Sequence, residues 1–341
     1  MHKIISLLIL CTLLATPLCT AQTTTPRPHT THVNTPVWTE GDYWTYTIDN
    51  LTVNIQQDNM TLYLYLSVGN FTERVISHTD TAYQVQIDPT TIEGTFKINT
   101  DLGDGPVNIS GVLRRTTLQG SMDIKKTNLG IEAMNLELKG KLIANIYNQP
   151  YIPNLPNRIT FSMTMKLDVA FTNAYATLDF PMDVGNLWGL PASKITLSGT
   201  IDSPQFKMVN FINNFARNFG LIPVLGNLFG MTPDEAQHTS DILADLLPTV
   251  DIAHALQEYG GGNTFNVSET PYVFACLDTE SLTVPAGTYT AYNITAFYGL
   301  GYLYYAPAAG HVIKTEGAFA DISSNLISNI NMELVDTNFQ Q

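Results

Sequence analysis

The sequence predicts a mainly β protein: one antiparallel sheet system interrupted by a helical insert of two to three helices. Three observations carry that prediction. Polarity alternates with period two from residue 37 to about 202 and again from 264, as in strands with one buried face. Clusters of Gly, Asn, Asp and Pro at 101–106, 128–130 and 148–157 cut the alternation into runs, which reads as a meander. Residues 205–262 abandon the alternation for helical spacing.

Taken in order, residues 1–21 read as a secretory signal peptide. Lys3 is followed by an apolar run from Ile4 to Leu14, then Pro17 and the small-x-small site Cys19-Thr20-Ala21. The run is too short to span a bilayer. Cleavage near Ala21 places the chain in a secreted or extracytoplasmic cell-surface setting. It leaves Cys276 as the single cysteine, so no intramolecular disulfide can form, and its apolar neighbours point to an inert buried thiol. Residues 22–36 hold six Thr and three Pro, a composition suited to an extended linker. The β-rich domain is expected over 37–341.

Within that domain the strongest strand signal is Phe161, Met163, Met165, Leu167, Val169 and Phe171, with polar residues between most of them. Met134, Leu136 and Leu138 repeat it, as do Ile195, Leu197 and Ile201. Tyr83, Val85 and Ile87, and separately Phe96 and Ile98, are shorter runs. Leu62, Leu64, Leu66 and Val68 alternate with Tyr63 and Tyr65, so that strand is expected to be covered on both faces. Thr283–Tyr289 reads as strand, turn, strand, Tyr302–Glu316 as a further hairpin, and Asn329–Val335 as the last strand.

The insert, 205–262, opens with Val209, Phe211, Ile212, Phe215 and Phe219 at helical spacing. Thr232-Pro233-Asp234-Glu235 is a capping box with Pro at the first helical position. That helix should run to about Leu247, with a second segment from Pro248 to Tyr259 ended by Gly260-Gly261-Gly262.

Composition removes several function classes. Sixteen Lys+Arg stand against 30 Asp+Glu, a net charge of −14, and the basic residues form no dense run, so no nucleic-acid partner is expected. Only 13% of residues are charged, about half the usual ~25%; Thr alone contributes 42 residues. The histidines His78, His238, His254 and His311 lack metal-ligand spacing, so neither a metal nor a cofactor is expected. Asn99, Asp101, Asp104 and Gly105 have the wrong spacing for a calcium loop. No Gly-x-Ser-x-Gly elbow occurs, and no catalytic residue can be named. Asp241, Asp245, Asp251 and Glu258 read as a solvated acidic face. Six sequons, at Asn50, Asn59, Asn70, Asn108, Asn266 and Asn293, would accept glycans in a glycosylating host.

Four segments carry a resemblance. Trp38-Thr-Glu-Gly41-Asp42-Tyr-Trp44-Thr-Tyr46 resembles the Trp-x-x-Gly-Asp-x-Trp-x-Tyr opening strand of exported, mostly archaeal and bacterial β-rich proteins. Phe180–Trp188 resembles their Phe-Pro-Leu-x-Val-Gly-Asp-x-Trp segment, with Asn186 for the Asp. Glu280–Tyr292 resembles their Val-Pro-Ala-Gly-Thr-Phe segment, with Tyr289 for the Phe, and Tyr304–Lys314 their Tyr-Tyr-Ser-Pro hairpin. These proteins are similar to half-barrel envelope lipid carriers. The resemblance implies a large curved antiparallel sheet at the cell envelope and no particular chemistry.

Two sets of residues could carry function. The aromatic set Trp44, Tyr46, Trp188, Tyr302, Tyr304 and Tyr305 would serve as a sugar-stacking platform or, more commonly, as sheet core. Between Met208 and Pro233 the only charged residue is Arg217. That stretch is either a helical hairpin plugging the concave face of the sheet, or a lid or membrane-contacting loop over an apolar cavity. Its expected ligand contacts are Phe211, Phe215, Phe219, Leu221, Ile222, Leu225, Leu228 and Phe229. The expected function is non-enzymatic binding of a hydrophobic small molecule or lipid, with peripheral membrane or cell-surface contact. A structural or adhesion module, and a hydrolase with an unrecognised carboxylate pair, are the alternatives.

Overall fold

The computed structural model describes residues 32–57, 60–101, 106–147, 158–228, 231–244, 249–251, 253, 263–267, 269–296, 300–321 and 326–340. The predicted signal peptide, the sequon at Asn59, Phe229 and most of the segment 245–262 lie outside them. The folded unit begins before residue 37. Val33 pairs with Met182 as an isolated bridge, and Thr35 Oγ1 donates to the Thr127 carbonyl. The last residues of the expected linker are thus fixed to the sheet.

The chain is mainly β, and its described strands form a single antiparallel sheet of fifteen. Six long strands lead: β1 (Tyr43–Gln57), β2 (Met60–His78), β3 (Ala82–Asp101), β4 (Pro106–Lys125), β5 (Ile131–Tyr147) and β6 (Arg158–Tyr175). Then come β7 (Leu187–Leu190), β8 (Ser193–Asp202), three helices, β9 (Thr249–Asp251) and β10 (Thr264–Val267). A second meander closes the chain: β11 (Thr270–Val284), β12 (Gly287–Ala296), β13 (Gly301–Ala306), β14 (His311–Asp321) and β15 (Leu326–Thr337). The order is β10-β8-β6-β5-β4-β3-β2-β1-β15-β14-β13-β12-β11-β7, with β9 also on β8.

That order makes the sheet curl. β7 lies at one end of the path and β8 near the other, yet only Pro191 and Ala192 separate them in the chain. Three Cα steps of 3.8 Å bring the two ends within roughly 11 Å. No ladder joins them, so the sheet is curved and open.

Strand length is where the sequence misleads. The inward residues of β3 are Tyr83, Val85 and Ile87, then Thr90, Ile92 and Ile98: the phase flips at Asp88-Pro89, where the register with β4 shifts. β2 flips between Val68 and Phe71, and β4 near Arg115, whose φ is +51°. An extra residue in a bulge restores the facing side chains and bends the strand. The two short runs expected for 83–87 and 96–98 are therefore one strand of 20 residues. β2 is buried on one face only: Leu62, Leu64 and Val68 are covered, while Tyr63 is exposed. Thr249–Asp251, expected in the helical segment to Tyr259, is a strand paired with Thr200–Asp202.

Two apolar cores lie on opposite faces of β12–β14. One joins Trp38, Trp44, Tyr83, Val85 and Ile124 to Ile313 and Leu334. The other joins Leu178, Met182 and Trp188 to Phe274, Ile294, Leu303 and Tyr305. Neighbouring residues of β13 thus serve different cores, which is why Gly301–Ala306 is buried almost throughout.

The 3-10 turn Pro307–Ala309 and Gly310 are held from the other end of the chain. The Trp44 indole N–H donates to the Ala309 carbonyl at 2.6 Å. The Trp38 indole N–H donates to Gly310 at 3.0 Å, and the Tyr46 phenol to Val312 at 3.0 Å. Gly310 has φ +62°, and a Cβ there would lie 2.6 Å from the Phe339 ring. Trp188 stacks on Phe274, and Phe180 meets Tyr305 edge-on at 5.4 Å.

Gly199 in β8 has φ +143°, and a Cβ there would overlap the Lys166 carbonyl. Gly199→Ala should lower stability by about 1–3 kcal/mol. A shift of the urea midpoint checks this, and an unchanged midpoint contradicts it.

Candidate functional site

Helix α1 (Pro204–Asn218) starts at Ser203, with Pro204 in its first turn. It ends in a Schellman-type closure: Leu221 N–H donates to the Ala216 carbonyl at 2.7 Å, across Gly220 at φ +66°. Helices α2 (Ile222–Leu228) and α3 (Pro233–Ala244) follow.

The buried face of α1 is the small and polar one. Asn213 is 5% exposed and Ala216 1%. Asn213 Nδ2 donates to the Ser240 carbonyl of α3 at 2.8 Å, and Ala216 packs with Ile222 and Ala236. The aromatic face points the other way. Phe211 is 69% exposed, Phe219 66% and Phe215 48%, and Met208 and Ile212 are exposed beside them. Spaced four apart, the three rings form a ladder with centroids 6.5 and 4.6 Å apart. Arg217 pairs with Asp241 of α3 at 3.1 Å, so the stretch's single cation is already matched.

The expected contact residues thus divide. Phe211, Phe215 and Phe219 lie together on an exposed surface, and Leu221 and Val224 are exposed as well. The plug expectation fails for them, because the helix spends its buried face on α3. Ile222 is corrected outright: it is buried among Ala216, Ala236 and Met231 and offers no surface to a ligand. Leu225 and Leu228 lie in α2, but their side chains, like Phe229, fall outside the described set.

The sequons also divide. Asn50, Asn70 and Asn266 are exposed and Asn108 half-buried. Asn293 is a poor acceptor, since its Nδ2 donates to Glu280 and its Oδ1 is buried. Among the described residues no three His, Cys, Asp or Glu form a metal site, and none of the described helices is long and apolar enough to cross a membrane. Cys276 is buried, and desolvation lifts its thiol to about 12.

The aromatic set is core: Trp44, Tyr46 and Tyr305 are fully covered. Behind Tyr46 stands a group that sequence reasoning missed. Having donated to Val312, the Tyr46 oxygen lies 2.6 Å from His311 Nδ1. His311 Nε2 lies 3.4 Å from Glu73 Oε2, and Trp38 and Trp44 flank the imidazole at 5.4 and 5.0 Å. Burial lowers His311 to about 4, against a smaller opposing pull from the Val312 carbonyl, and burial raises Glu73 to about 7. One signal was available. Glu73 stands in phase between Phe71 and Val75, an acid on the inward side of an apolar alternation.

No family model matches the chain, and neither the curated proteins nor the solved structures contain a match.

Two measurements follow from this geometry. Tyr46→Phe strands the Val312 carbonyl and His311 Nδ1 in the core and should cost about 1–3 kcal/mol. Phe215→Ser, on the exposed ladder, should stay within about 0.5 kcal/mol of the parent; paired denaturation curves separate them. In a chain starting at Gln22, a thiol reagent at pH 8 should label Cys276 only after denaturant is added. Stoichiometric labelling of the folded protein contradicts its burial.

Proposed function

We propose that this protein is an exported, envelope-associated binder of hydrophobic material, a lipid or lipid-linked molecule, acting without a chemical step. The aromatic face of α1 is its contact surface. The observation that carries the reading is the inverted helix, which buries Asn213 and Ala216 and presents Phe211, Phe215 and Phe219 to the outside.

Leaving three phenylalanines wet forgoes about 1.5–3 kcal/mol each. A covering lipid surface recovers that term, on the order of 5–9 kcal/mol for the ladder before the cost of association. The electrostatics agree. The chain is strongly acidic, yet between Met208 and Pro233 it carries only Arg217, which Asp241 already pairs. The patch can therefore leave water without stranding an unpaired charge. The signal-like N-terminus and the resemblance to exported β-rich proteins support an envelope setting.

Flotation with phosphatidylcholine vesicles tests the reading, alongside native mass spectrometry of protein from its own host. The parent should float and carry lipid. The triple variant Phe211→Ser, Phe215→Ser, Phe219→Ser should lose at least tenfold in vesicle affinity with its unfolding midpoint unchanged. A parent that neither floats nor carries lipid, or a triple variant that binds equally, sinks the proposal.

A further inference from the structure

Glu73 and His311 meet where the two meanders join. Glu73 is on β2, directly across from Trp44 of β1, and His311 opens β14. Strands β1 and β15 lie between β2 and β14 in the sheet, so the two side chains reach each other across its curved inner side. Their side chains are 13% and 20% exposed: protons from solvent reach them, but water does not solvate them fully.

With the phenolic proton of Tyr46 assigned to the Val312 carbonyl, the Tyr46 oxygen accepts from His311 Nδ1–H. In the uncharged imidazole this leaves a lone pair on Nε2, facing Glu73. An ionised Glu73 would then set carboxylate against lone pair. A protonated Glu73 points its O–H at Nε2, and one proton satisfies both residues. Among the described residues, no ion pair to Glu73 or His311 stands beside the one they make with each other. Ile87 of β3 stands opposite Glu73. Trp38 and Trp44 flank His311, and Tyr83 packs on Trp38 and accepts its backbone N–H. Arg74 turns to Asp88 and the Tyr43 ring. Tyr46 is held protonated, its phenol raised well above the ordinary value by burial and, secondarily, by Glu73.

We propose that Glu73 and His311 form a pH-compensating pair: they hold one proton between them, seated on Glu73, and this keeps the junction equally stable across mildly acidic pH. The sign of each half supports it. Glu73, raised to about 7, stabilises the fold at low pH, and that contribution is lost as pH rises through about 7. His311, lowered to about 4, contributes stability that is present above the free imidazole value and lost as pH falls through about 4. Between roughly pH 4.5 and 6.5 the folded pair holds one proton on Glu73, and the unfolded chain also holds one, on the imidazole. The proton counts match, so the pair adds almost no slope there.

Removing one half uncovers the other. Urea midpoints of the parent, Glu73→Gln and His311→Asn would be measured from pH 4 to 8. The remaining carboxylates are common to all three, so difference curves isolate the pair. Glu73→Gln should gain folding equilibrium constant, relative to the parent, by up to roughly tenfold per pH unit from about pH 4.5 to 7. His311→Asn should lose it at the same rate from about pH 4 to 6.5. Difference curves that are flat, or that slope the same way, overturn the proposal. Should either variant fail to fold, the NMR titration of His311 in the parent decides. An imidazole still uncharged at pH 5.5 supports the pair, and one that titrates near pH 6.5 overturns it.

Discussion

The whole arrangement rests on three buried donors reaching one turn and the start of the strand that follows it. The indoles of Trp38 and Trp44 and the phenol of Tyr46 take the carbonyls of Gly310, Ala309 and Val312. Some 265 residues separate donors from acceptors. A tight turn buried in a core leaves carbonyls that no sheet ladder can satisfy, and each would cost about 1–3 kcal/mol unpaired. Here β1 and Trp38 just before it supply the partners. That locks β1 beside β15 and joins the two meanders into one sheet. The other recognisable segments cluster on the same architecture: Trp188 stacks on Phe274, Phe180 meets Tyr305 edge-on, and Ala286 N–H donates to the Leu334 carbonyl. These aromatic and turn segments are therefore devices of closure.

This separates fold from function along the chain. The aromatic residues that looked ready to stack on a sugar are spent on the cores. The aromatic residues left over are on α1, a helix whose attachment uses Asn213, Ala216 and Arg217 against α3. A hydrophobic ladder free of packing duties, on an insert off the sheet, can be given over to a partner without disturbing the core. The Tyr46–His311–Glu73 chain lies at the opposite extreme. It belongs to the closure, and its ionisable groups are tolerated because each satisfies the next.

Much of the fold was legible because β structure writes itself in period two. The turn at 128–130, the hairpin turn at Pro285-Ala286 and the helix start at Pro233 all come from local chemistry. Strand length was not legible. A bulge flips the phase of alternation, so one bent strand reads as two. Thr249–Asp251 escaped because three residues next to a helix carry too little pattern, and only their pairing with β8 makes them a strand. The 208–233 stretch stood out through its lack of charge, but helical spacing shows only that a helix has an apolar stripe. It does not show which stripe is buried. Ile222 and Phe211 look alike in sequence, yet one is buried within the α-helical cluster and the other exposed on it.

The sequence by itself determined the mainly antiparallel sheet, the position of the helical insert and the isolation of its uncharged stretch, because each rests on local periodicity and composition. Tertiary structure alone decided the rest. It set which ends of the sheet approach each other, which aromatic residues were consumed as donors to the 309–312 turn, and that Glu73 would face His311. Those outcomes depend on the register and curvature of strands far apart in the chain. Contacts between side chains hundreds of residues apart leave no trace in the order of their neighbours.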